Sequence, residues 1–395
     1  MPFFTPQRLT MLIFFLQPIA FGSWLPRIPD VQQALGLGPA GLAFALLGLP
    51  VGTLITLPFA GPLVGRIGPR TAILVGMVLY SIATCLPAFA PSPALLFVAL
   101  MLAGSSLSFV ELGLNVQADL VEKSTGALIM TTSHGFWSVG IMSGSLIGSG
   151  LAWFGLEARW AIPLVAVLVL PLALLVANAL PIFAAEAPKT EGQRSAWAFP
   201  SWALLGICFF VFGITMTEGA MADWSAIFLR DALGAQGGGV GLGYSVFASM
   251  VAAGRFGGDT LKKNLGAVNT ARICGVLALV GAALLYVAPN TPLALVGFGI
   301  IGLGVSVGFP LAVTAAASLT DRAASANVAI LSFVALLGFL VGPPVIGFVA
   351  EHADMRLGIA CLVPFLLVSL LLSGRLAAKP KSAAHNPEAE VPGVI

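Results

Sequence analysis

The sequence predicts an all-α membrane protein with twelve transmembrane helices in two six-helix bundles, and three observations lead there. The chain is 58% hydrophobic and only 9% charged over 395 residues, against roughly a quarter charged in soluble domains. Apolar windows of about 20 residues, the length that crosses a bilayer, recur from one end to the other. The chain also repeats itself. GSWLPRIPDVQQALGLGPAGL from Gly22 resembles MADWSAIFLRDALGAQGGGVGL from Met221, with Trp24 against Trp224 and Gly41-Leu42 against Gly241-Leu242. A half-length repeat in so hydrophobic a chain is what a two-bundle membrane transporter leaves behind.

Helices 1 to 12 are expected at 9–29, 39–62, 71–90, 93–118, 127–153, 160–183, 201–229, 239–257, 268–288, 292–316, 325–350 and 357–376. Helix 1 follows Arg8 and ends in small residues, as a signal peptide does. It is too long for one, and its repeat partner at Met221 marks it as retained. At an offset of 198, Gly104 of helix 4 matches Gly302 of helix 10, Ser108 matches Ser306, and Gly140, Gly144 and Ala152 of helix 5 match Gly338, Gly342 and Ala350 of helix 11. The halves run in the same order, a parallel repeat. Residues 1–183 and 201–377 are the expected bundles. Between them 184–200, with EAPKTEGQRSA, is an expected cytoplasmic linker, and 378–395 an expected disordered cytoplasmic tail.

Charge sets the topology. With a cytoplasmic amino terminus, fourteen of the 18 Lys and Arg residues fall on the inside, while Arg27, Arg159, Arg230 and Arg356 lie outside. This positive-inside bias places both termini in the cytoplasm. The basic residues are scattered over loops and form no stripe with aromatics, so no nucleic-acid partner is expected. Cys85, Cys208, Cys274 and Cys361 lie in apolar segments without paired spacing, so neither a disulfide framework nor a metal site is expected.

The loop between helices 2 and 3 reads GPLVGRIGPR from Gly61 to Arg70 and resembles the loop signature of the major facilitator superfamily, with Gly65 where the signature carries an acid. The second half has GRFGGDTLKKNLG from Gly254 to Gly266. The resemblance covers nearly the whole chain and implies that Arg66, Arg70, Arg255 and Asp259 act mechanically. They would be cytoplasmic charge pairs and helix ends that hold one conformation until the bundles rock. Helix 4 reads SSLSFVELGLNVQADL, where Glu111-x-x-x-Asn115 is similar to the helix 4 signature of the fucose:proton symporter family, whose glutamate carries a proton. Helix 5 reads TTSHGFWSVG, similar to that family's polar residue followed by an aromatic, with His134 in place of the usual glutamine. Helix 1 departs from the pattern, with Trp24-Leu25 where an acid is usual. Together WLPRIPDVQ and HGFWSVG resemble a related bacterial inner-membrane branch.

An ionisable group in the bilayer interior costs several kcal/mol unless paired or hydrated, about 2.5 to 3.5 for Asp, Lys or Arg on insertion scales. Glu111 is therefore the first candidate. It shares a helical face with Ser108 and Asn115, and is either the proton-coupling site or a structural carboxyl locking helix 4 to a neighbour. Its partner in the repeat is Phe309, Asn115 faces Val313 and His134 faces Ser332, so this polar set belongs to the first bundle alone. His134, with Thr131 and Ser138, contacts solute, exchanges a proton with Glu111, or is an interhelical histidine. Arg27 anchors the solute or snorkels to the outer interface. Glu218 of helix 7 is expected to pair with Arg27 as an outer gate, and Asp223 and Arg230 to be solvated end residues. Trp24, Trp137 and Trp224 either stack on sugar-like rings or form an interfacial belt, with Trp137 the one expected in the cavity. Helix 5 also holds Gly140, Gly144 and Gly148 at four-residue spacing, followed at 145 by serine where drug:proton antiporters of the superfamily carry proline.

The expected function is proton-linked secondary transport of a small polar, sugar-like solute by alternating access, with symport favoured. Asn115, His134, Trp137, Trp24 and Arg27 would contact solute, and Glu111 and His134 would handle the proton. Proton-exchange efflux of amphiphilic compounds is the alternative, and a membrane receptor that binds without translocating stands further off. No metal-ligand cluster, nucleophile elbow or phosphate loop points to an enzyme. The expected partners are the solute, protons and the lipid bilayer, with no cofactor, for a monomer in a bacterial inner membrane.

Overall fold

The computed structural model describes residues 4–183, 200–321 and 324–377, with the side chains of Asp259 and Ser325 outside the described set. The expected linker, apart from residue 200, and the expected tail lie outside the described residues. Among the described residues every element is a helix or a short 3-10 turn. The twelve transmembrane helices are Pro6–Ala34, Pro39–Ile67, Pro69–Phe89, Pro93–Thr125, Met130–Trp153, Ala158–Ala179, Trp202–Leu233, 242–265, 267–287, Thr291–Ala317, Ala324–His352 and Met355–Leu376. Among the described residues ten helical stretches are long and apolar enough to cross a membrane by composition alone. Helices 5 and 8 supply the other two. They face each other across the bundle boundary, where Ser145 Oγ and Ser245 Oγ lie 2.8 Å apart.

The repeat is written into the backbone. Helices 2 and 8 end at Gly68 (φ 80°, ψ 150°) and Gly266 (φ 77°, ψ 163°), 198 residues apart, in a conformation that favours glycine and turns the chain directly into the next helix. Ser92 and Asn290, again 198 apart, cap helices 4 and 10 by accepting from Leu95 N (3.3 Å) and Leu293 N (3.1 Å). A Cβ on Gly104 would strike the Leu49 carbonyl oxygen, and one on Gly302 the Phe247 carbonyl oxygen. Gly144 abuts the Ile19 carbonyl as Gly342 abuts that of Met216. Helix 5 therefore lies on helix 1 as helix 11 lies on helix 7, at a separation that small residues permit.

Helices 2 and 4 run past the expected 62 and 118, because an apolar window measures the bilayer crossing while a helix continues until its backbone is turned. Helix 4 stops at Gly126, φ 71°. Helix 1 is broken into Pro6–Leu16, Ile19–Trp24, a 3-10 turn Leu25–Arg27, and Ile28–Ala34. Pro18, Pro26 and Pro29 each lack an N–H donor and crowd the preceding turn. This broken segment lies against the bundle boundary.

Both described chain ends lie on one face of the molecule, here the terminal face. At the opposite face the bundles close on each other. Arg230 donates to Pro29 O (3.0 Å) and Gln32 Oε1 (2.6 Å), and Ala40 N to Glu351 Oε2 (3.2 Å). Gly238 and Gly241 pack on Ser149, Gly241 also on Pro26, and Gly347 on Ala43. On the terminal side Thr131, Thr132 and His134 of helix 5 are exposed.

Candidate functional site

Helices 1, 2, 4 and 5 of the first bundle and 7, 8 and 11 of the second enclose a cavity of about 280 Å³. Its polar lining is Thr53, Glu111, Ser138, Glu218, Asp223, Tyr244 and Arg255, set among aromatic residues that include Phe21, Trp24, Trp137 and Phe247. Glu111 comes from helix 4, where the small residues around it, Ser108 and Gly113, let that helix approach its neighbours. The Glu111 carboxylate faces the cavity without a hydrogen bond or ion pair among the described residues, and Tyr80 is within electrostatic reach of it.

One helical turn toward the terminal face, His134 Nε2 lies 3.1 Å from Asn115 Oδ1, and Phe14 meets the imidazole edge-on at 5.3 Å between ring centres. The structure thus joins Asn115 to His134, as their shared candidacy suggested, but sets the pair beside the cavity and not in its wall. Trp137 lines the cavity as expected. Its Nε1 donates to Gln17 Oε1 at 3.0 Å, which fixes the indole plane. Trp24 also lines the cavity, whereas Trp224 is fully buried elsewhere, its indole N–H without a partner.

The expected Arg27–Glu218 gate is not formed. Arg27 lies beyond the 3-10 turn of helix 1, only 3% exposed. Its Nε reaches Asp30 Oδ2 at 2.6 Å, and its Nη2 donates to Leu156 O at 2.7 Å. Those partners consume its reach at the opposite face, outside the central cavity. There it lines a vestibule of about 920 Å³ together with Arg230. The bundle-bridging arginine of that face is Arg230, which the sequence marked as a solvated end residue.

Glu218 pairs instead with Arg255, Oε1 to Nη2 at 3.4 Å, with the two side chains 15% and 22% exposed. Arg255 Nη1 also donates to Ser138 Oγ at 2.7 Å, across the bundle boundary. Arg255 was expected among charge pairs at the cytoplasmic loop. It lies eleven residues before Gly266, the end of helix 8, and so about 16 Å of helix inside that end. Asp223 was likewise expected in solvent, yet it stands eleven residues before Gly234, φ 67°, which ends helix 7, and lines the cavity. Measuring depth from the turn-forming glycines would have found both; apolar windows assign charges to loops by default. Tyr244 carried no signal in sequence. Of the remaining expected gate residues, Arg70 bonds Asn178 Oδ1 at 2.6 Å within its own bundle and Arg66 is exposed at the terminal face. The Asp259 side chain lies outside the described residues.

A parallel six-helix repeat around a central charged cavity narrows the family, and comparison decides it. A family model described as Major Facilitator Superfamily matches residues 10–327, and matches 203–394 a second time. The chain belongs to the major facilitator superfamily. It is 30% identical over 378 residues to an uncharacterized MFS-type transporter of Yersinia pestis, covering 96% of this chain and 97% of that one. It is 32% identical to the uncharacterized transporter y4wD of Sinorhizobium fredii, covering 89% and 93%. Among solved structures it is similar to the D323A mutant of the nucleoside transporter NupG, with a TM-score of 0.74 at 14% identity over 94% of this chain and all of that one. As a superfamily member it is a multi-pass membrane transporter of a small molecule. The cavity between its bundles stands where a superfamily member binds its substrate.

Proposed function

We propose that this superfamily member is a proton-linked secondary transporter of a small polar solute, sugar-like in size and hydroxyl content, working by alternating access and by symport. The observation that carries it is the Glu111 carboxylate, which faces the cavity between the bundles with no partner among the described residues. An acid placed there can take a proton when the cavity opens to one face and release it when the cavity opens to the other. His134, held by Asn115, sits between Glu111 and the terminal face, in line to pass that proton. The resemblance of Glu111-x-x-x-Asn115 to the fucose:proton symporters supports the same role, and the aromatic walls at Trp24 and Trp137 suit the apolar faces of sugar rings.

On the positive-inside topology the terminal face is cytoplasmic, in a bacterial inner membrane. On that topology, with the opposite face closed, this arrangement would be inward-facing. The bundles, 1–183 and 201–377, would then rock about the cavity, with Arg230 and Glu351 sealing the outside. Arg66 and Arg70 would carry the mechanical role at the cytoplasmic helix ends.

The test uses purified protein in proteoliposomes and a radiolabelled solute chosen by thermal stabilisation from a panel of sugars, sugar acids and lipophilic cations. Glu111→Gln is expected to abolish accumulation driven by a proton gradient while leaving solute exchange at equal concentrations intact. Unchanged accumulation sinks the coupling assignment. Stabilisation by lipophilic cations alone turns the reading to efflux.

A further inference from the structure

The charges around the cavity do not balance. Its wall holds one guanidinium, Arg255, and three carboxylates, Glu111, Glu218 and Asp223. Arg255 is engaged by Glu218. On the transport reading above, on which this inference rests, Glu111 is occupied by the transported proton. Asp223 is left over. It makes no hydrogen bond or ion pair among the described residues, although buried carboxylates are ordinarily paired.

Two further groups point into the same space without partners among the described residues. Tyr244 is 6% exposed and lines the cavity within electrostatic reach of Asp223, Glu218 and Arg255, and its hydroxyl makes no hydrogen bond there. Trp24 is 2% exposed and lines the same cavity, with its indole N–H likewise unpartnered. Both polar atoms open onto the cavity, where a ligand would supply the partner that Tyr and Trp polar atoms usually find. A phenol O–H and an indole N–H suit hydroxyl oxygens, while the ring faces of Trp24, Tyr244 and Phe247 suit a cation. At about 280 Å³ the cavity is at the small end of the roughly 300 to 1,000 Å³ of ligand pockets, which fits a molecule of monosaccharide size.

The geometry points to a hydroxylated solute carrying one ammonium group, an amino sugar being the representative class, with the ammonium seated on Asp223 and hydroxyls on Tyr244 and Trp24. Anionic solutes are disfavoured by the unpaired Asp223 carboxylate, beside a Glu218–Arg255 pair that is already balanced. Neutral sugars leave Asp223 without a counter-charge.

The experiment measures thermal stabilisation of the full chain in lipid nanodiscs. The probes are D-glucosamine, D-galactosamine and D-mannosamine, set against D-glucose, N-acetyl-D-glucosamine, D-glucuronate and tetraphenylphosphonium. N-acetylation is the sharpest contrast, because it keeps the ring and removes the charge. At least one amino sugar is expected to raise the melting midpoint while its neutral and acidic counterparts do not. Asp223→Asn is expected to weaken that binding roughly 10- to 100-fold, the effect of losing a hydrogen bond to a charged group, and Asp223→Glu to restore part of it. Unliganded melting midpoints show whether each variant folds. If no amino sugar stabilises, or glucose or glucuronate does so equally, the amine assignment is overturned. Amino-sugar binding untouched by Asp223→Asn overturns the placement of the ammonium. Stabilisation by tetraphenylphosphonium alone overturns the hydroxylated part. Failure of the transport reading would appear separately, as an amino sugar that binds yet never crosses reconstituted vesicles.

Discussion

Gly241 closes the 3-10 turn Gly237–Gly241 at the opposite face, with φ −80° and ψ −10°, a conformation open to any residue. Gly241→Ala therefore carries no local backbone strain, and at such positions alanine even adds stability by restricting the unfolded chain. Its Cβ would nevertheless collide with Ser149 Oγ and Pro26 Cβ of the first bundle. That collision exists only while the bundles are closed at this face. Inserting a methyl into packed space costs about 1 to 3 kcal/mol, and at about 1.4 kcal/mol per factor of ten the closed state is disfavoured by about 5- to 150-fold. The assay replaces Cys85, Cys208, Cys274 and Cys361 with alanine, introduces Ala222→Cys in the cavity wall, and follows its modification by an impermeant maleimide added from the opposite face. The rate should rise by about that factor. Gly239, in the same turn, has nothing within 4 Å of the place a methyl would occupy, so Gly239→Ala is the control. Equal labelling rates in the two variants would refute a role for this contact in holding the face shut.

Two further variants probe the cavity wall. Arg255→Ala leaves Glu218 buried without its partner; loss of one member of a buried pair costs about 3 to 5 kcal/mol, and partial water access lowers that to about 2 kcal/mol. Adding Glu218→Gln should recover much of it, a coupling of about 1 to 2 kcal/mol in a double-mutant cycle of unfolding in detergent, whereas strict additivity would mean that the pair contributes nothing. Trp137→Phe removes the donor to Gln17 Oε1 in a place where Gln17 Nε2 already lacks a partner. It should destabilise by about 1 to 3 kcal/mol. Trp137→Phe combined with Gln17→Leu should be more stable than Trp137→Phe alone, and a double variant no better than the single would show that the hydrogen bond contributes nothing to stability.

The fold was legible because close backbone contacts leave glycine no substitute. Gly104 and Gly302 survived divergence of everything around them, since each abuts a carbonyl oxygen, that of Leu49 or of Phe247, at equivalent places in the two halves. A positive φ keeps Gly68 and Gly266 in the same way. The cavity was less legible. Glu111 drew attention because a carboxyl in an apolar run costs several kcal/mol, and Trp24 and Trp137 because flat aromatic faces suit a solute cavity, although Trp224, weighed on the same ground, is buried elsewhere. Arg255 and Asp223 were misplaced because each falls near the end of an expected apolar window (239–257 and 201–229), and hydropathy cannot separate a charge at the end of a helix from one three turns inside it. The Arg27–Glu218 pairing failed for a different reason. Opposite charges in facing helices suggest a partner, but depth decides. Arg27 lies beyond the proline-broken turn of helix 1, where Asp30 and the Leu156 carbonyl are nearer than anything in the cavity.

The polarity of the first bundle is half of a complementary arrangement. Glu111 faces Phe309 in the repeat; at the same offset Tyr244 and Arg255 of the second bundle face Leu46 and Leu57 of the first, and at the offset of 200 that aligns Trp24 with Trp224, Glu218 and Asp223 face Pro18 and Ser23. No cavity charge is duplicated. A symmetric pair of arginines or of Asp223-like carboxylates would add further like charges to a space of about 280 Å³ that already holds three carboxylates and one guanidinium. Divergence of the repeat removed that repulsion by keeping each ionisable group once. On the proposed symport the halves would have different work, with helix 4 carrying the proton and Asp223 and Tyr244 of helices 7 and 8 meeting the solute opposite Trp24 and Trp137. Because Arg255 bonds Glu218 in its own bundle and Ser138 in the other, solute that competes for Glu218 or Arg255 alters a contact between the bundles. On the proposed reading, occupancy of the second bundle's half-site would thereby be coupled to the rocking that exposes Glu111.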